Sequence, residues 1–444
     1  MLHGLRALTS LAPTLPNPPF TMLAARTSAV RSASRVARNF ATVVDTAGVK
    51  VAAVDNGEAT SSVTFLVKAG SRFENKPGVA HALQNFAFKS TSKRSGLATI
   101  RAAELYGGIL SSALSREHLA LTAEFLRGDE EYFVDVLSSF ITSAKFTRHE
   151  LFESVAPVCA SESIAAASNP ATRAVELAHG LAFRSGLGAP LLATEHGHVD
   201  VDTVKSYASS VFGKGNIAVL GTGISQEALT KLVEKSLGSL STSAAPSASP
   251  SSYYGGETRV DAHGGAETVF IGFGTTGTPS TELAVLAAHL NPQPSVKWSE
   301  STSPIAGIPI GASVQPVYLP YSDATLFGLL VQAETTEGVK AAGKIAVAAL
   351  KDASNIKAED LKKAVAKAKF AAASLVDSRS GIVSVLGSKV LAGASASVTG
   401  SISALDKVDA SALARATSTL LKAKPTYIAV GDIKTLPYAD ELGL

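Results

Sequence analysis

A segment in the first quarter of the chain reads His81-Ala82-Leu83-Gln84-Asn85. It has the spacing of the zinc motif His-x-x-Glu-His, in which two histidines four residues apart share one helix face and bind Zn²⁺ while the glutamate acts as general base. Here Gln84 occupies the position of the base and Asn85 that of the second ligand. An amide cannot accept a proton from a metal-bound water, and asparagine is a poor substitute for neutral imidazole. The segment therefore predicts the scaffold of a zinc site without its chemistry.

The flanking sequence predicts the local structure that the motif requires. Residues 62–70 (SVTFLVKAG) form an apolar run that ends at a glycine, which is typical of a strand. Polar turn residues and Pro77 follow, and the apolar-rich segment from Val79 to Phe88 predicts a helix. A lone histidine on a helix is more often an ordinary buried residue than a ligand. The interpretation therefore depends on the strand, the loop and the helix together.

Length and composition limit the possible folds. The 444 residues suggest two or more domains. With 46% hydrophobic and 17% charged residues, the composition is that of a globular protein. No apolar run reaches the roughly 18 residues of a membrane span. The single cysteine, Cys159, excludes an internal disulfide framework and a cysteine-based metal cluster.

The first 40 residues have the composition of a mitochondrial presequence. They contain five arginines, many Ser, Thr and Ala, and no acidic residue. We predict cleavage after Phe40, which leaves Ala41 at the mature terminus. Removal of the five arginines changes the formal charge from +3 to −2. A basic surface for nucleic acid therefore has no support.

The remaining chain contains an internal duplication. Strand-like runs end at Gly70 and again at Gly274, and the helical segment from Glu150 to Ala167 has a counterpart about 210 residues later. The pattern predicts an α+β fold of two homologous domains, each a mainly antiparallel sheet packed with helices. The predicted domains cover residues 41–240 and 257–444, and a Ser/Ala/Pro-rich linker covers 241–256. The second repeat has no histidine at the position of His81, so only the first could have held a metal.

The motif in this setting resembles the pitrilysin-type (M16) metallopeptidase family. In that family the third zinc ligand is a glutamate on a second helix about 80 residues further along. Glu162 lies 81 residues after His81, within the helical segment from Glu150. The resemblance implies a vestigial zinc site at His81, Gln84, Asn85 and Glu162, with no catalytic residue, no bound metal and no cofactor.

The duplication, the degraded motif and the presequence together are similar to a branch of this family, the core subunits of the mitochondrial ubiquinol–cytochrome c reductase complex. Matching segments follow in order at residues 107–108, 115–118, 169–170, 254–259, 294–297 and 321–328. The resemblance implies a non-catalytic subunit needed for assembly, peripheral to the inner membrane on its matrix side. The partners that it implies are core protein 1 and the cytochrome b, cytochrome c1 and iron–sulfur subunits, in a dimeric complex.

Two alternatives compete with this interpretation. The α subunit of the mitochondrial processing peptidase also lacks a complete zinc motif, but it has a mobile glycine-rich loop where this chain has two prolines between Leu290 and Ser299 and no glycine until Gly307. An active metallopeptidase would require Gln84 and Asn85 to perform chemistry that amides do not support.

Overall fold

The computed structural model describes residues 43–444 except 47, 195–198, 244–245, 247, 295–297, 299–300 and 393–396. The predicted presequence, residues 1–40, and the predicted cleavage site between Phe40 and Ala41 lie outside the described residues. The predicted linker is described in part. Within the described range, no helix is long and apolar enough to cross a membrane.

The described strands form two sheets, and each sheet draws its strands from one half of the chain. In chain order the strands are β1 (Val44–Thr46), β2 (Val49–Val54), β3 (Thr60–Val67), β4 (Ile109–Leu114), β5 (Leu119–Leu126), β6 (Ile217–Thr222), β7 (Gly256–Asp261), β8 (Glu267–Thr276), β9 (Ala312–Pro320), β10 (Ala324–Ala333) and β11 (Thr426–Gly431). The sheet orders are β1-β2-β6-β3-β5-β4 and β7-β11-β8-β10-β9. Only β2 with β6 and β7 with β11 are parallel among these pairs. The predicted α+β class with mainly antiparallel sheets is confirmed.

Helices lie between the strands in irregular groups. In chain order they are α1 (Val79–Asn85), α2 (Gly96–Leu105), α3 (Glu130–Ser143), α4 (Ala156–Ser168), α5 (Pro170–Phe183), α6 (Val201–Val211), α7 (Gln226–Leu237), α8 (Thr281–Leu290), α9 (Thr336–Asp352), α10 (Ala358–Val376), α11 (Arg379–Leu391), α12 (Val398–Leu405) and α13 (Ala410–Lys422). A short turn, Arg148–Glu150, and a π-helical turn, Leu151–Val155, lead directly into α4. The two long helices predicted from the duplication are therefore present.

Each half contributes one helix to the sheet of the other half. Helix α5 follows α4 in the first half, yet it packs on the second sheet. Helix α11 follows α10 in the second half and packs on the first sheet. The two helices begin at residues 170 and 379, in keeping with the repeat of about 210 residues. The exchange is therefore reciprocal, and the described residues form one compact unit.

The sequence at the start of each exchanged helix explains its sharp change of direction. Asn169 caps α5 by accepting hydrogen bonds from the N–H groups of Ala171 and Thr172 at 3.0 and 3.3 Å. Pro170 follows directly, and a proline is favoured in the first turn of a helix but cannot continue the helix before it. Ser378 caps α11 through the N–H of Gly381 at 3.1 Å. Local capping residues thus end one helix and start the next.

Both exchanged helices use apolar side chains against the sheets. On α5, Ala174, Ala178 and Ala182 are fully buried in one cluster with Phe270 and Ile428 of the second sheet. Small side chains there let the helix approach the strands closely. The α11 cluster joins side chains of both halves, and its buried members are Ala52, Leu66, Ala218, Leu220, Val376, Leu386, Val390, Leu391 and Val398.

The pattern of buried residues along each strand shows whether the sheet is covered on one face or on both. Strand β3 buries every residue except its first, and β10 buries every residue except its ninth. Strand β5 instead alternates buried and partly exposed residues until its last. Such alternation is typical of a strand with one covered face, and a continuous apolar run is typical of a strand covered on both. The exchanged helices therefore complete the core over the central strands.

A buried ion pair also joins the halves; we call it the Arg72 clasp. Arg72, in a turn directly after β3, lies 2.7 Å from Glu117 of the β4–β5 turn and 2.6 Å from Asp323 of the β9–β10 turn. Glu117 also accepts a hydrogen bond from the N–H of Ser322, and Asp323 accepts one from the N–H of Ser251. The Arg72 side chain is only 4% exposed, so these two carboxylates, rather than water, compensate its positive charge.

We expect the Arg72→Met variant to lose about 3–5 kcal/mol of unfolding free energy, because removal of one partner of a buried ion pair leaves the other charge uncompensated. The loss can be measured from the midpoint of urea denaturation. The control is Lys235→Met, which removes an ion pair with Glu131 in which both side chains are 72% exposed. Such exposed pairs contribute little to stability, because solvent and salt screen the two charges. Equal losses in the two variants would show that the clasp does not stabilise the fold.

The exchange predicts that a change on α11 weakens the sheet of the other half. Leu386→Ala removes a side chain that is 1% exposed and should cost about 2–5 kcal/mol. Hydrogen exchange of β6, at residues 217–222, should then accelerate, because α11 covers that strand. Leu375→Ala is the matched control, since Leu375 on α10 is 52% exposed. Unchanged protection of β6 in Leu386→Ala would contradict the predicted coupling.

Candidate functional site

Helix α1 carries the motif and begins at an unusual cap. Its N-cap residue, Gly78, has φ +88°, and an added Cβ there would lie 2.8 Å from Cβ of Ala193. The carboxylate of Glu74 takes the role of the missing cap by accepting hydrogen bonds from the N–H groups of Gly78 and Ala80 at 3.2 and 3.0 Å. Burial raises the pKa of Glu74 to about 7, against the effect of these N–H groups. The loop before α1 is therefore fixed to the helix.

The helix is shorter than the sequence predicts. It ends at Asn85, and Phe86 is its C-cap, whereas the apolar pattern predicts helix to Phe88. Phe88 has φ +62°, a left-handed conformation that an α-helix does not contain. Phe86 and Ala87 follow the helix in a turn and are buried all the same, with Phe86 only 1% exposed. Burial outside the helix explains the wrong boundary.

His81 is fully buried and uses both ring nitrogens. Its Nε2 lies 2.6 Å from Oε2 of Glu162, and its Nδ1 lies 3.1 Å from the backbone nitrogen of Ala193. A backbone N–H can only donate, so Nδ1 must accept and carries no proton. The proton of the neutral imidazole is therefore on Nε2, which donates it to Glu162.

Asn85 reaches the same carboxylate from the next turn of α1. Its Nδ2 donates to Oε2 of Glu162 at 3.0 Å and also lies near the carbonyl of His81 and Sγ of Cys159, at 3.3 and 3.4 Å. One oxygen of Glu162 thus accepts from both His81 and Asn85. The structure brings three of the four predicted positions together.

Gln84, the fourth position, faces a different neighbour. Its side-chain Nε2 donates to the backbone carbonyl of Ser112 on the edge strand β4 at 3.3 Å. The Ser112 hydroxyl donates to the backbone carbonyl of Gln84 at 3.4 Å. The residue at the position of the general base thus connects α1 to the sheet.

The residues in this arrangement do not fit a zinc ion. Two ligands of one tetrahedral zinc ion, each about 2.1 Å from the metal, are about 3.4 Å apart, whereas His81 and Glu162 are in direct contact at 2.6 Å. A metal also needs lone pairs on its ligands, and here Nε2 of His81 and Nδ2 of Asn85 both present hydrogens. Burial raises the pKa of the nearby Cys159 thiol to about 11, so it offers no thiolate. Among the described residues, no group of three His, Cys, Asp or Glu side chains could hold a metal ion.

The helix that carries Glu162 packs loosely on α1. The π-helical turn precedes this helix, Pro157 lies in its first turn, and Cys159 is its only buried residue. A groove of about 540 Å³ separates it from α1 and is lined by Gly78, Ala82, Leu151, Phe152, Val155, Ala156, Cys159, Ala160, Ser163, Ile164, Ala167, Ala193, Thr194 and Val199. In the second half, α10 buries Ala364 and Ala368 in a core that also contains α8. The contact of α4 with α1 therefore combines the polar cluster at Glu162 with the buried side chain of Cys159.

Sequence reasoning missed Ala193, which belongs to this cluster, and Ser112, which binds Gln84 outside it. Ala193 contributes a backbone N–H, which has no side-chain signature, and Ser112 contributes a carbonyl and a hydroxyl from a strand with no motif. The π-helical turn is also not encoded in a recognisable pattern, although Pro157 indicates a local disturbance of the helix.

Comparison with known proteins identifies the family of this chain. The model of the insulinase family, peptidase family M16, matches residues 50–195. The chain is 46% identical to the mitochondrial cytochrome b-c1 complex subunit 2 of Cryptococcus neoformans, over 94% of this chain and 98% of that protein. Identity is 36% to the Yarrowia lipolytica protein of the same name, over 91% and 97%, and 30% to that of Saccharomyces cerevisiae, over 88% and 95%. The chain therefore belongs to the cytochrome b-c1 complex subunit 2 family.

Proposed function

We propose that this chain is a non-catalytic core subunit of the mitochondrial ubiquinol–cytochrome c reductase complex, respiratory complex III. In this role it is needed for assembly and for the structural support of electron transfer from ubiquinol to cytochrome c. The observation that carries the proposal is the 46% identity, over 94% of the chain, to a protein named as subunit 2 of the cytochrome b-c1 complex. The similarity covers both halves, so it extends well beyond the M16 match at residues 50–195.

The polar cluster at His81 supports a degenerate metallopeptidase site. A zinc peptidase needs a metal-bound water and a base that accepts its proton. Gln84 has no basic group and faces β4, while the hydrogens of His81 and Asn85 are directed at Glu162. His81, Asn85 and Glu162 therefore connect two helices and perform no hydrolysis.

Electron transfer belongs to other subunits in this proposal. One cysteine in the whole chain cannot supply the thiolates of an iron–sulfur cluster. The proposed partners are core protein 1 and the cytochrome b, cytochrome c1 and iron–sulfur subunits of a dimeric complex. The chain is peripheral to the inner membrane, on its matrix side. We also propose a presequence at residues 1–40, homologous domains at 41–240 and 257–444, and a linker at 241–256.

The second candidate is the α subunit of the mitochondrial processing peptidase. It fits the same fold and the incomplete zinc motif. The segment from Leu290 to Ser299 argues against it, because two prolines restrict the backbone where that subunit has flexible glycines. The names of the three relatives reported above also favour the complex III subunit.

Purification from mitochondria tests the proposal. The chain, captured through an affinity tag in mild detergent, should bring with it the absorption spectra of haem b and haem c1, and metal analysis should find far less than one zinc per copy of this chain. Its mass should correspond to a terminus at Ala41. Recovery as a soluble heterodimer that cleaves presequences would contradict the complex III assignment and favour the second candidate.

Depletion supplies the control for a structural role. Mitochondria without the chain should lose assembled complex and ubiquinol–cytochrome c reductase activity in proportion, because a scaffold acts through the amount of complex. Re-expression of the unmodified chain should restore both. Full assembly with reduced activity per complex would argue against a purely structural role.

A further inference from the structure

The segment at Ala193 approaches His81 from the side opposite Glu162. It presents a hydrogen-bond donor where a metal-binding histidine needs an acceptor. A histidine that binds a metal through one ring nitrogen almost always donates the N–H of the other to a carboxylate, a carbonyl or a water. Nδ1 of His81 instead accepts the backbone N–H of Ala193 at 3.1 Å. This contact involves neither of the two substituted motif positions, Gln84 and Asn85.

The position of Ala193 is fixed by several neighbours. Its carbonyl accepts a hydrogen bond from the hydroxyl of Ser163 at 2.7 Å, and Ser163 is next to Glu162 on α4. Its methyl group packs against Gly78 at the start of α1. Two residues earlier, the N–H of Leu191 donates to Glu176 at 3.2 Å. The N–H of Ala193 therefore cannot turn away from His81 without movement of this anchored segment.

We infer that the backbone N–H of Ala193 is a second determinant of metal exclusion, independent of Gln84 and Asn85. The inference rests on the proposed degenerate site and adds a position that the motif does not include. A zinc ion on Nε2 of His81 requires the ring proton to be on Nδ1. There it would meet the N–H of Ala193, so that two donors would face each other beside a fully buried ring. Restoration of the two motif side chains alone therefore leaves zinc binding impaired.

Three variants of the purified chain test the inference. The first restores the motif with Gln84→Glu and Asn85→His. The second adds Ala193→Pro, which removes the N–H because proline has none. The third adds Ala193→Gly to the same pair of changes and keeps the N–H as a matched control. Zinc affinity is measured by competition with a chromophoric chelator.

The variant with Ala193→Pro should bind zinc about 10–100-fold more tightly than the variant with only the motif restored, the range found when an outer partner of a metal ligand is changed. The Ala193→Gly control should match the variant with only the motif restored. Equal affinity of all three variants would overturn the inference. That result would not affect the proposed function, which is tested separately by purification with haem b and haem c1.

A measurement on the unmodified chain keeps the inference testable if Ala193→Pro does not fold. Labelling with ¹⁵N-histidine and NMR distinguish a protonated Nε2 from a protonated Nδ1, and the His81→Gln variant identifies the His81 signals among the nine histidines. The neutral ring should carry its proton on Nε2 and none on Nδ1. A proton on Nδ1 would show that Ala193 does not donate to His81 and would overturn the inference.

Discussion

The central strands of both sheets are buried on both faces, and this constraint governs the rest of the structure. Strands β3 and β10 bury nearly all their residues, so each needs cover on two sides. Each half has helices of its own for one face, and the helix for the other face comes from the opposite half. Separation of the halves would expose the covered face of each sheet that the exchanged helix protects. The free-energy cost would be roughly 25 cal/mol per Å² of apolar surface exposed. The halves therefore stabilise one another, and the Arg72 clasp adds a directional contact between them.

The candidate site depends on the same core. Helix α1 buries Val79, Ala80 and Leu83 in the cluster beneath the first sheet, and His81 is buried with them. In the intact motif a metal ion would connect this helix to the one that carries the glutamate. Here hydrogen bonds from His81 and Asn85 to Glu162 make that connection. Both ring nitrogens of the buried His81 are therefore paired, as polar groups in a folded core usually are.

The sequence predicts much of this arrangement, and its failures have identifiable causes. The strands near Gly70 and Gly274, the helical segment from Glu150 and its counterpart about 210 residues later are found because hydrophobic period, turn residues and duplication agree. The end of α1 is misplaced because buried apolar residues continue past Asn85 in a non-helical turn. The exchange of α5 and α11 has no sequence signal, since an apolar helix face shows that the helix is buried but not which sheet covers it.

The same division holds at the candidate site. The sequence alone determined that Gln84 and Asn85 cannot perform zinc chemistry, because the properties of an amide follow from its covalent structure. It also placed Glu162 at the spacing of a third ligand. Only the tertiary structure decided that Glu162 accepts two hydrogens and that the N–H of Ala193 places the His81 proton on Nε2. Hydrogen-bond polarity depends on which groups meet in space, and a backbone N–H is common to every residue except proline.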